Sequence, residues 1–92
     1  MEIKIDELLN KILHLAPIYS KKFYISEDGA KKFLKLAIIY IARTDFKLKV
    51  EDNVILGDDV NLNKFKQYVL NWNENEFDEE DFEIIGYCQN IR

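Results

Sequence analysis

The sequence predicts a mainly α-helical single domain: about four helices around a buried central one (residues 27–43), with one short β-hairpin at about 48–56. Three observations lead there. Between Phe33 and Ala42 the only polar side chains on offer are Lys35 and the Tyr40 hydroxyl, so a helix there is apolar over more than half its circumference. Apolar residues recur at helical spacing on both sides of that stretch, over residues 5–16 and 62–72. The segment 48–56 is two short apolar runs separated by Asp52-Asn53, a turn signal. A chain of 92 residues that is 48% hydrophobic, with three glycines and one proline, has material for one core and little for linkers, so residues 1–92 read as one domain.

The first helix is expected over residues 5–16, with Ile5, Leu8, Leu9, Ile12, Leu13 and Ala16 on one stripe. Pro17 is expected to stop it, since the residue before proline avoids the helical region. Residues 18–25 then read as a connector, extended or a short strand. Ser26 is placed to cap the central helix, and Glu27 and Asp28 suit the positive end of its dipole. Lys31, Lys32, Lys35 and Arg43 form its one polar stripe, with Ile39 inside that stripe as a covered residue or an exposed contact point.

The hairpin has two registers. An Asp52-Asn53 turn opposes Val50 to Ile55; a Glu51–Asn53 turn opposes Val50 to Val54 and Leu48 to Leu56. The second is preferred because it keeps those apolar pairs on one face. After a turn at residues 57–59, Asn61 is expected to cap a helix whose inner face is Leu62, Phe65, Tyr68, Val69 and Trp72. The segment 73–75 breaks it. Asp78 then caps a last helix with Phe82, Ile84, Ile85, Cys88 and Ile91 inward. Gly86 opposes that assignment by about 1 kcal/mol relative to alanine. Residues 82–88 are also rich in strand formers, and a strand there would make the fold α+β.

Reaction chemistry has little to work with. Nothing resembles a phosphate-cradling glycine loop, and no spacing is specific to a reaction, so no enzyme is expected and no catalytic residue is assigned. His14 is the only histidine and Cys88 the only cysteine, which excludes a Cys/His zinc cluster and an intrachain disulfide. His14 reads as a structural residue beside the core and Cys88 as a small core residue. Residues 57–63 alternate oxygen donors but lack the glycine and final glutamate of a calcium loop. No cofactor or metal is expected. The amphipathic, acid-bearing N-terminus is unlike a secretion signal, and lysines interrupt the apolar run too early for a membrane span, so the expectation is a cytoplasmic protein.

Charge is the informative feature. Residues 1–50 hold ten Lys/Arg against six Asp/Glu and residues 51–92 three against eleven, or +4 and −8, summing to the net −4. The run at residues 74–83 holds seven of those acids, Glu74, Glu76, Asp78, Glu79, Glu80, Asp81 and Glu83, interrupted by Phe77 and Phe82. It is either a solvated loop and helix start or a binding surface for a basic groove, since clustered carboxylates imitate a nucleic-acid backbone and steer association. Trp72, Phe77 and Tyr87, with Ile39 elsewhere, are candidate anchors because aromatics dominate interface energetics.

The leading expectation is a small acidic binding protein that occludes the nucleic-acid or substrate groove of a basic protein, such as a nuclease. Toxin-immunity proteins and phage anti-defence inhibitors of the anti-CRISPR type share its size and charge, which is analogy alone. One rival is a homo-oligomeric interaction module, a homodimer for instance, joined by attraction between basic and acidic halves. The other is weak nucleic-acid binding through Lys21, Lys22, Lys31, Lys32 and Lys35 with Tyr19 and Tyr24, which the overall acidity opposes.

Overall fold

A computed structural model describes residues 2–88, and the side chains of residues 2–86. In chain order the elements are β1 (Glu2–Lys4), α1 (Ile5–Lys11), a 3-10 turn (Leu13–Leu15), α2 (Ala16–Phe23), α3 (Glu27–Thr44), β2 (Lys49–Glu51), β3 (Val54–Leu56), α4 (Asp59–Leu70) and α5 (Glu79–Cys88). The fold is mainly helical with a small antiparallel sheet. No described helix is long and apolar enough to cross a membrane.

Helix α3 is the organising element. Its Ala30, Phe33, Leu34, Ala37, Ile38 and Ala42 are buried, and α1, α2, α5 and β2 pack against it. Ser26 Oγ accepts the Gly29 N–H at 3.0 Å, the cap expected from sequence. Ile39 is half-buried against the core.

The first correction concerns Pro17. It does not end a structure but opens one: α1 stops at Lys11, a 3-10 turn follows, and Pro17 sits in the first turn of α2. Proline has no N–H to lose at a helix start and its φ is already helical, so it is as good a beginning as an end. Residues 18–25 are therefore mostly helix, not an extended connector. Ala16, Tyr19 and Phe23, at i, i+3 and i+7, form its buried face. Tyr24 ends it in the left-handed region, φ 57° and ψ 47°.

The second concerns the sheet, which has three strands in the order β1-β3-β2. Strand β1 was not foreseen; two or three residues carry almost no period. The hairpin takes the two-residue turn, with Val50 opposite Ile55 and Glu51 opposite Val54. Face matching does decide the register, but across three strands: Ile3, Ile55 and Val50 form one row, and Ile55 is fully buried. Leu48 is buried from the loop before β2, its N–H bonded to Ala42 C=O, so it needs no strand partner. Asp52 takes a positive φ of 53°, as the first residue of a tight hairpin turn can require.

Two smaller corrections follow. Helix α4 begins three residues earlier than expected, with Asp58 as its cap; Asn61 donates its N–H to Asp58 Oδ1 at 2.9 Å and its side chain to Phe46 C=O. Residues 79–88 are helical as assigned, so the α+β alternative falls away. Phe82 and Ile85 pack inward while Ile84 is exposed. The inner-face assignments of Cys88 and Ile91 lie outside the described side chains.

Candidate functional site

The acidic run starts in the loop after α4 and ends in the first half of α5. Its two phenylalanines fix it to the body. Phe77 is buried, with its ring centroid 4.8 Å from Trp72, 5.3 Å from Phe33 and 5.8 Å from Tyr19. Phe82 stacks on Phe23 at 4.7 Å. Edge-to-face and offset contacts at these distances suit aromatic quadrupoles.

Tyr19 strings the loop to α2. Its ring is fully buried, its hydroxyl donates to Asn73 C=O, and the same oxygen accepts the Phe77 N–H at 3.2 Å. Burial raises its pKa, outweighing the opposing pull of the Phe77 N–H. Lys22, one turn on, donates to Glu74 C=O at 2.8 Å and lies 5.6 Å from the Tyr19 ring centroid.

The seven carboxylates divide by task. Asp78 and Asp81 form a reciprocal capping box: the Asp81 N–H reaches Asp78 Oδ1 at 3.0 Å and the Asp78 N–H reaches Asp81 Oδ2 at 3.1 Å. The Asp81 N–H holds the Asp78 carboxyl below its ordinary range, with the Lys22 charge a lesser contribution. Glu76 accepts the Tyr68 hydroxyl at 2.7 Å. Burial and that carboxylate push the Tyr68 pKa up to about 12.

Glu74, Glu79, Glu80 and Glu83 are exposed. Among the described residues the salt bridges are Lys35–Asp6 and Lys49–Glu51, and neither touches the run. Glu79, Glu83, Phe23 and Phe82 together line a shallow surface hollow.

Of the anchors named from sequence, Trp72 and Phe77 are buried and offer a partner no surface. Ile39 is half-buried, and the Tyr87 side chain lies outside the described ones. Tyr24, next to Phe23, is 89% exposed and is the most accessible large apolar residue described. On the basic side, Tyr19 is unavailable for stacking, Lys22 is held by Glu74 C=O and Lys35 by Asp6. His14 is exposed on the 3-10 turn rather than mid-helix. The described residues bring together no group of three His, Cys, Asp or Glu that could hold a metal. Sequence reasoning missed Tyr19 as the tie between α2 and the acidic loop; its spacing with Ala16 and Phe23 was the available sign. Searches of family models, curated proteins and solved structures find no match to this chain.

Proposed function

We propose that this protein binds a basic protein partner through Glu74, Glu79, Glu80 and Glu83, and so covers the partner's nucleic-acid or substrate groove. The observation that carries the reading is the division of the carboxylates. Three serve the fold, while four point to solvent with no described lysine or arginine in salt bridge with them. Cationic side chains of a partner would supply the missing counter-charges. The Phe23–Phe82 stack, which lines the same hollow as Glu79 and Glu83, would add apolar contact for their stems. Clustered exposed carboxylates also raise the association rate, an effect that salt removes. A toxin-immunity protein or a phage inhibitor of a defence nuclease would work in this way.

The test replaces Glu79, Glu80 and Glu83 by lysine and leaves Asp78 and Asp81 to cap α5. The wild type should retain a basic protein from an extract of its own cells, and should lower that protein's activity on nucleic acid or substrate when the two are mixed pure. The folded triple variant should do neither. Equal capture and equal inhibition by the variant would remove the proposal.

A further inference from the structure

Among the described residues strand β1 is an edge of the sheet, and its outer side carries a self-complementary pattern. Ile3 faces Ile55, and the Ile5 N–H bonds to Asn53 C=O at 2.9 Å, so these residues turn their backbone groups toward β3. By strand alternation Glu2 and Lys4 turn theirs outward. Lys4 is the residue that caps α1, and its carbonyl is engaged by the first helical turn. The edge therefore offers Glu2 N–H, Glu2 C=O and Lys4 N–H. Two open hollows adjoin it, one walled by Glu7, Leu8 and Lys11 and the other by Asp59, Leu62 and Asn63, with Lys66 lining both.

We propose that β1 pairs antiparallel with β1 of a second copy about a two-fold axis at Ile3, joining two three-stranded sheets into one of six. Parity and charge carry it. With the axis at Ile3, Glu2 stands opposite Lys4 of the second copy and Lys4 opposite its Glu2. Both are outward-facing residues, so in each pair the Lys4 N–H donates to the Glu2 C=O of the other copy, while the Lys4 carbonyl stays with α1. The two side chains are exposed, so each pair sets a carboxylate beside an ammonium, while half-buried Ile3 meets its own copy and extends the inner apolar row. Moving the axis to Glu2 opposes two glutamates; moving it to Lys4 opposes two lysines. One register is favoured and its neighbours are repelled. Three residues per copy fall short of the roughly 1,200 Å² at which stable interfaces begin, so the association is weak and concentration-dependent.

Sedimentation velocity on the full chain, in a concentration series reaching about 1 mM, tests it. The wild type should dimerise. Glu2→Lys or Lys4→Glu alone should weaken the dimer about tenfold, since each turns two attractive pairs into two repulsive ones, and the double reversal should restore it. Lys4→Pro removes an outward N–H at a φ of −81°, close to proline's own, and should abolish the dimer while circular dichroism shows the fold intact. A monomer at every concentration overturns the proposal. So does a dimer indifferent to the single reversals or to the proline, or one that the double reversal fails to restore. None of these residues belongs to the acidic face, so the outcome is independent of partner binding there.

Discussion

Tyr19→Phe removes one oxygen atom and leaves the ring in its place among Phe23, Phe33 and Phe77. Two bonds disappear with it. Asn73 C=O keeps a second donor, the Glu76 N–H at 3.2 Å, so its loss is the ordinary net worth of a hydrogen bond, about 0.5–1.5 kcal/mol. The Phe77 N–H has no such reserve. It is buried, and leaving it unpaired costs the desolvation of a donor, about 1–3 kcal/mol. Together the change should lower stability by roughly 2–4 kcal/mol, a large part of the roughly 5–15 kcal/mol of a small domain. Urea unfolding should show a lower midpoint at unchanged slope. Amide exchange should quicken at Phe77 before it quickens in α3, because the loop is released ahead of the core. A variant within about 0.5 kcal/mol of wild type, or one whose exchange rises evenly along the chain, would refute the assignment of Tyr19 as the tie that holds the acidic loop.

Two further outcomes rest on single residues. Tyr24→Gly should raise stability by about 0.5–1 kcal/mol, read as a higher urea midpoint, because glycine takes the left-handed cap without strain and the tyrosine ring buries little; a lower midpoint would mean that the ring makes contacts its exposure denies. Tyr68 keeps its proton in the fold up to about pH 12 whereas an unfolded tyrosine loses it near 10. Its contribution is therefore complete below pH 10 and is lost as pH rises through that window, so Tyr68→Phe should flatten the alkaline loss of stability. An unchanged alkaline slope counts against it.

The long periodic stretches were legible from sequence because burial imposes the period. Helix α3, its Ser26 cap, the Leu62, Phe65 and Val69 face of α4 and the helical end follow from spacing and capping chemistry; Tyr68, expected on that face, is exposed at its margin, where its hydroxyl reaches Glu76. What was not legible was short or two-valued. Pro17 can end a helix or begin one, and only the burial of Tyr19 and Phe23 decides. Strand β1 has three residues and exists because β3 offers it an edge. The register of the hairpin depends on that same strand, so missing one misplaced the other. At the acidic run the composition was plain, but the division of its carboxylates was not. The i, i+3 spacing of Asp78 and Asp81 is a capping signal, and the Tyr68–Glu76 bond depends on how the loop doubles back.

That division gives salt two opposite effects. Seven carboxylates in ten residues, on a chain of net charge −4, repel one another in the free protein, and no described lysine neutralises them by a salt bridge. The run stays folded because Phe77 and Phe82 are packed into the core, and the burial of a phenylalanine is worth about 1.5–3 kcal/mol. Raising sodium chloride from 0.1 to 1 M shortens the screening length from about 10 to about 3 Å, which relieves that repulsion. Chloride avoids the added surface-exclusion effect of sulfate. The free protein should therefore melt higher in salt, while any complex made through Glu74, Glu79, Glu80 and Glu83 should weaken. The Glu79, Glu80, Glu83 triple lysine variant should lose most of the salt-dependent rise in melting temperature. If the wild type melts lower in salt, its carboxylates are already compensated within the chain, and the case for a basic partner loses its premise.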